Sequence, residues 1–194
     1  MDEMIGYFNE NVSKYDSWYD KHEREYHEQL EFIRERLPSG KGVEIGVGTG
    51  RFASQLGIPV GVDASEKMLS LAASRGIFPI MAYADRLPFI SGYFDFSIFI
   101  VTICFLDDPV ASLKEAGRIS KEVISVILEA GTEYTNRLQQ EKKGFYAYAK
   151  FYSEADMVRM YTMAGLKLIR NEYSDLYTGG MRYRIRYVAG INQR

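Results

Sequence analysis

The sequence predicts an α/β fold: a doubly wound, seven-stranded, mostly parallel sheet with an antiparallel C-terminal hairpin and an N-terminal helical cover. Three observations carry this. Between residues 43 and 128, short apolar strands alternate with helical segments, as in parallel strands joined by crossover helices. Residues 98–106 are apolar except for Thr102, which suits a strand buried on both faces of a parallel sheet. Past Gly179-Gly180, Tyr183-Arg184-Ile185-Arg186-Tyr187 alternates with strict period two. No helix separates it from the strand at 166–169, so those two strands should pair antiparallel.

Each element has its own signal. The chain through Leu37 reads as helix, with Tyr26, Leu30, Ile33 and Leu37 on one buried face and Pro38-Ser39-Gly40 as the stop. Residues 43–45 form a short strand, 46–50 a glycine-rich turn and 51–56 a helix. Residues 60–63 are a second strand, after which Ser65 caps a helix that ends before Gly76. Strands follow at 78–83 and 94–101, the latter dense in aromatic and β-branched residues. Asp108-Pro109 starts a helix that ends near Arg118, and 123–128 is the fifth strand. Ser153 with Asp156 resembles a capping box for a helix that Gly165 terminates.

Composition narrows the class. With 194 residues the chain suits one domain of ordinary size, 46% hydrophobic and 26% charged, a globular balance. It divides into a cover (residues 1–39), a core (40–130) and a substrate-side segment with the hairpin (131–194). A net charge of -2 argues against a nucleic-acid surface, which needs a clustered basic face. The acidic N-terminus lacks a signal peptide's apolar core, and no apolar run is long enough to span a bilayer, so no membrane partner and a cytoplasmic location are expected. The lone Cys104 sits in an apolar run and reads as a small core residue. His22 and His27 are five apart, not the i, i+4 spacing of a helical metal pair, and no metal is expected.

The chemistry concentrates in Val43-Glu44-Ile45-Gly46-Val47-Gly48-Thr49-Gly50. Glycines there permit positive φ and close approach of a ligand to the backbone. The helix that follows offers unpaired N–H groups and a positive dipole end. Asp63 ends the next strand, where a carboxylate can accept both hydroxyls of a ribose, and Asp85 follows the third strand, where one can accept from an adenine amino group.

These residues resemble the class I S-adenosylmethionine-dependent methyltransferases, in the branch called methyltransferase type 11, similar to ubiquinone and menaquinone biosynthesis enzymes. Glu44 to Gly50 looks like their E/D-x-G-x-G-x-G motif, and Val62-Asp63-Ala64-Ser65-Glu66-Lys67-Met68-Leu69 like the acidic loop that follows. Ala84-Asp85-Arg86-Leu87-Pro88-Phe89 with Phe94-Asp95-Phe96 is similar to the next pair of motifs, and the likeness runs from about residue 10 to about 190. The resemblance implies a Rossmann-like sheet and S-adenosylmethionine as cofactor, leaving S-adenosylhomocysteine as product. It implies that Glu44, Gly46 and Gly48 belong to the methionine end, that Asp63 holds the ribose, and that Ala64 and Met68 flank the adenine. Ala84, Asp85 and Arg86 would form the adenine-side loop, Val101 and Thr102 would offer backbone contacts near the methionine amine, and Tyr15 would close over the cofactor.

The methyl acceptor is expected to be a small molecule, reached by in-line displacement, with no base assignable. Tyr7, Phe8, Tyr15, Trp18 and Tyr19 in the cover, and Tyr134, Phe145, Tyr146, Tyr148, Phe151 and Tyr152 later, read either as an aromatic cleft or as ordinary packing. An inactive cofactor-binding module is an alternative. A nicotinamide oxidoreductase is another, because Gly48-Thr49-Gly50-Arg51-Phe52-Ala53 fits G-x-G-x-x-A, although Asp63 comes early for that pattern. Asp107-Asp108-Pro109 reads as a helix cap sooner than as a nucleic-acid methylation motif or a magnesium site. Arg182, Arg184 and Arg186 read as a solvated or dimer-facing edge, so a homodimer stays open.

Overall fold

The computed structural model describes residues 2–193. Three helices come first: α1 (Asp2–Glu10), α2 (Val12–Lys21) and α3 (Glu23–Arg34). The expected helical stretch is broken at Asn11 and His22, where no side chain caps the helix that follows. Tyr26, Leu30 and Ile33 are buried on α3, and Leu37 packs against the same cluster.

The alternating portion contains β1 (Gly42–Ile45), α4 (Arg51–Leu56), β2 (Val60–Asp63), α5 (Glu66–Ser74), β3 (Phe78–Met81), β4 (Phe94–Ile100), α6 (Pro109–Ile119) and β5 (Ser120–Leu128). The caps act as their residue types dictate. Ser65 Oγ accepts from the Met68 N–H at 3.2 Å, and Asp108 Oδ1 accepts from the Ala111 N–H at 2.9 Å, with Pro109 opening α6. The last part holds α7 (Glu133–Glu141), α8 (Glu154–Met163), β6 (Leu166–Thr178) and β7 (Met181–Asn192), and Ser153 and Asp156 cap α8 reciprocally.

The strands form one seven-stranded sheet in the order β3-β2-β1-β4-β5-β7-β6. The first five are parallel, and β7 runs antiparallel to both β5 and β6. Side chains alternate between the two faces. Ile98 and Ile100 join Leu30, Ile33 and Phe52 on one, whereas Phe99 joins Leu113, Ala116, Met157 and Tyr161 on the other. The sheet is therefore covered by helices on both sides, which is why its central strands are nearly continuous apolar runs.

Three sequence expectations need revision. The strand expected at 166–169 runs to Thr178. Its Arg170-Asn171-Glu172-Tyr173 stretch is exposed and carries no apolar alternation, and its ladder with β7 makes it a strand. Helix α7 was not foreseen, although Thr132 and Thr135 cap it reciprocally. The arginine face of β7 is not a solvated edge, because β7 lies inside the sheet and β6 forms the edge. Arg184 and Arg182 pair with Asp175 of β6. The Arg186 side chain is 3% exposed and bonds Glu129 at 2.8 Å, Glu154 at 3.0 Å and Asn171 at 2.6 Å, joining the end of β5, the start of α8 and β6.

Removing Arg186 leaves Glu129 buried without its cation. Arg186→Ala is therefore expected to cost roughly 3–5 kcal/mol in urea unfolding. A loss of less than about 1 kcal/mol would show that this cluster does not hold the hairpin to α8.

Candidate functional site

Strand β1 lies between β2 and β4. The chain leaves β1 to build β2 and β3 on one side, then returns to β4 on the other. That reversal opens a crevice outside the carboxyl ends of β1 and β4, where open α/β sheets bind ligands.

Two backbone turns form its floor. After β1, the N–H groups of Gly46 and Val47 donate to Val62 O at 2.7 and 2.9 Å, and Gly46 and Gly48 take φ of 75° and 53°. After β4, Val101 has φ 52°, an outlier for a β-branched residue, and such strain of about 1–3 kcal/mol gathers at functional sites. Its N–H donates to Val126 O at 2.8 Å, and the Cys104 thiol, which burial pushes up to about 12, donates to its carbonyl at 3.3 Å. Thr102 Oγ1 reaches across to Gly46 O at 3.3 Å. A Cβ on Gly46 would collide with Thr102, and one on Gly48 would stand 3.4 Å from the Tyr15 hydroxyl.

Asp63 is half-buried at the end of β2. Its Oδ2 accepts from the Gly48 N–H at 2.9 Å and its Oδ1 from the Ser65 N–H at 2.8 Å. Burial raises this carboxyl, and the backbone N–H groups partly offset that. Each oxygen retains a further lone pair for a ligand. Glu44 does not line the crevice. It is buried, accepts from the Ala53 N–H in the first turn of α4, and leaves Oε2 without a partner. Burial holds it well above the usual carboxylate range.

The crevice encloses a cavity of about 110 Å³. Among the residues expected from the sequence, Tyr15, Gly46, Gly48, Asp63, Ala64, Met68, Ala84, Val101 and Thr102 line it. Glu44, Asp85 and Arg86 do not, and Asp85 and Arg86 are exposed just beyond Ala84. Met4, Ile5 and Phe8 of α1 and Phe105 and Leu106 after β4 also line it. The sequence marks α1 as a helix with an apolar side but does not reveal where that side lands.

A second cavity of about 270 Å³ shares Tyr15, Ile100, Val101 and Phe105 with the first. Its walls include Trp18, Tyr19, Phe52, Tyr134, Phe145, Tyr146 and Tyr183. The aromatic cleft read from the sequence is thus present for Tyr15, Trp18, Tyr19, Tyr134, Phe145 and Tyr146. Phe8 lines the first cavity instead, Tyr7 and Tyr148 pack around the rim, Phe151 is core, and Tyr152 is bridged to Glu129. Phe52, Phe105 and Tyr183 were not foreseen, because their elements carry no local mark of a site.

Helix α2 is pinned above both cavities by charge. Asp16 pairs with Arg51 of α4 at 2.6 Å and with Arg75 after α5 at 2.8 Å, and Asp20 reaches Arg51 at 2.8 Å. Burial alone would raise Asp16, but the two guanidinium groups win and hold it well below the usual carboxylate range. Among the described residues, no group of three or more His, Cys, Asp or Glu is placed to hold a metal ion, and no helix is long and apolar enough to cross a membrane.

Comparison with known proteins came out consistently. The family model described as a methyltransferase domain matches residues 43–123. An uncharacterized protein of Methanocaldococcus jannaschii is 35% identical over 169 residues, which are 84% of this chain and 82% of that one. The crystal structure of an S-adenosylmethionine-dependent methyltransferase from Thermotoga maritima, named a possible histamine N-methyltransferase, matches at TM-score 0.90 and 32% identity over 98% of this chain and all of that one. Magnesium protoporphyrin IX methyltransferase of Synechocystis with bound S-adenosylhomocysteine shares the fold, at TM-score 0.73 and 18% identity over 97% of each chain.

A depressed carboxyl contributes stability that is complete above its unfolded pKa of about 3.9 and is lost as pH falls. Hydrogen exchange should therefore find α2 protected near neutral pH and loosened below about pH 4. Asp16→Asn should loosen α2 at neutral pH as well. Equal protection in both proteins would show that packing alone holds the cover.

Proposed function

This chain belongs to the S-adenosylmethionine-dependent methyltransferases, and on that premise we propose that it methylates a small molecule held in the aromatic cavity beside the cofactor site. The supporting observation is the pair of cavities that meet at Tyr15, Val101 and Phe105. A cofactor in one and an acceptor in the other would face each other across that wall.

The residues present fit the cofactor. Asp63 keeps lone pairs free after its two backbone bonds, which suits ribose hydroxyls. Ala64, Met68 and Ala84 offer a narrow apolar slot for a purine. Gly46 and Gly48 leave the backbone open to the methionine end, where Val101 and Thr102 present main-chain groups. Asp85, exposed next to Ala84, would meet the adenine amino group. Arg86 lies beside it, away from the cavity. In this reading Glu44 shapes the glycine turn through its bond to α4 and does not touch the ligand.

Bound there, S-adenosylmethionine supplies a methyl group already activated by its sulfonium. The protein then has to position the nucleophile and exclude water. Tyr15 does both in this reading, since it lines both cavities and its hydroxyl stands 3.0 Å from that of Tyr19. Phe145 packs edge-on against Tyr15 and Tyr7 and closes the outer side of the acceptor cavity.

Titration calorimetry with S-adenosylhomocysteine tests the cofactor half. Asp63→Asn should lose roughly tenfold to a hundredfold in affinity, the equivalent of a charged hydrogen bond; unchanged affinity in a folded variant rejects the assignment. The acceptor half predicts a different pattern. Phe145→Ala should lower kcat/KM for the acceptor by at least about tenfold, one anchor contact's worth, while cofactor affinity stays within about twofold. Loss of cofactor binding in that variant would place Phe145 in the wrong cavity.

A further inference from the structure

We propose that the acceptor is a flat, uncharged nitrogen base, an amine or nitrogen heterocycle on an aromatic or apolar body, which attacks through its own lone pair without a protein base. This rests on the methyltransferase reading above and specifies the substrate class of the same site.

The cavity holds no group suited to act as a base at its shared wall. Among the described residues that line it there is no histidine and no fully buried carboxylate. Its tyrosines are Tyr15, Tyr19, Tyr134, Tyr146 and Tyr183, and burial pushes every one of these hydroxyls above the ordinary phenol range. They stay protonated and cannot take a proton near neutral pH. Lys14 and Lys143 stand exposed at the rim, and an ammonium group has no acceptor. Glu25 is the one acid lining this cavity, and it acts on Tyr134 and Tyr183. Glu44 acts on Tyr15 and Tyr19 but lines neither cavity. On the cofactor side, Asp63 accepts from the Gly48 and Ser65 N–H groups, and its remaining lone pairs are the ones given to the ribose hydroxyls in the reading above.

An alcohol, phenol or carbon acid must lose a proton before or during attack, and none of the residues shared by the two cavities, Tyr15, Ile100, Val101 and Phe105, would receive it. An acceptor that arrives as an anion meets an equal obstacle, because no buried cation lines the cavity to compensate for its lost hydration. A neutral nitrogen base escapes both. Desolvation favours its uncharged form, the one that carries the lone pair. In the transfer, that lone pair forms the new N–C bond while the C–S bond breaks and its electron pair returns to sulfur. The positive charge passes from sulfur to nitrogen, and an N–H proton leaves afterwards to water. Tyr15, Tyr19 and Phe145 line the cavity in which that charge develops, and aromatic rings attract cations.

The chain's single tryptophan, Trp18, lines this cavity, so its fluorescence reports occupancy without turnover. The test uses the full chain saturated with S-adenosylhomocysteine for binding and with S-adenosylmethionine for turnover. The probes are matched pairs with one ring body: arylalkylamine against arylalkanol, imidazole against phenol, aniline against benzoate. Calorimetry with S-adenosylhomocysteine is run first, so that failure of the cofactor site is seen separately from failure of this proposal. The expected result is that amines and imidazoles change Trp18 emission and are methylated at nitrogen. Their kcat/KM should rise about tenfold per pH unit up to the amine's own pKa and then level. Methylation of phenols, alkanols or carboxylates as fast as their nitrogen partners overturns the proposal. So does intact cofactor binding with no nitrogen base either perturbing Trp18 or accepting a methyl group.

Discussion

The hydrogen bond from the Gly48 N–H to the Asp63 carboxylate, 2.9 Å long, is the contact on which the rest of the site depends. It joins the turn after β1 to the end of β2. The same carboxylate accepts from Ser65, whose hydroxyl caps α5, so one side chain fixes two strand ends and a helix start. Only a chain that can hold positive φ at residues 46 and 48 can bring that N–H to the acid. With the turn in place, the crevice between β1 and β4 has a fixed polar floor. Without it, Asp63 would be a half-buried carboxyl with one backbone partner fewer, and the glycine turn would lose its anchor.

The opposite wall is built by a different means. Val101 is held at positive φ by its bond to Val126 and by the Cys104 thiol on its carbonyl, and it lines both cavities. A rigid, mildly strained residue at that junction is what a transfer site requires, because donor and acceptor need fixed separation and alignment. Around it, Phe8, Tyr15, Phe105 and Phe145 contact one another edge to face or tilted, at centroid distances of 5.0–5.9 Å. These rings come from two cover helices and two later turns. Their mutual packing turns separate segments into one apolar enclosure.

The cover itself is held to the sheet by charge as well as by packing. Asp16 gathers Arg51 and Arg75 from two helices of the core, and Tyr26 donates to Arg51 O at 2.7 Å. Arg186 plays the corresponding part at the other end of the molecule, tying the hairpin to α8. Both clusters connect elements distant in sequence.

The sequence by itself determined the local events. The glycines at 46 and 48 call for a turn with positive φ, Ser65, Asp108 and Ser153 are caps by chemical type, and the apolar run that starts at Ile98 needs a sheet covered on both faces. Those events, in their order, were enough to indicate the fold class, and the family resemblance they carry named nine residues that the structure gathers around one crevice. Only the tertiary structure decided what depends on partners far along the chain. Strand β6 extends to Thr178 because β7 supplies its hydrogen bonds, and Arg186 is buried because β7 lies inside the sheet and not at its edge. Phe52, Phe105 and Tyr183 join one cavity because three elements converge there. The physical reason is the same in each case: a cap or a turn is an interaction within a few residues, whereas a cavity wall is a coincidence of surfaces that exists only once the chain has packed.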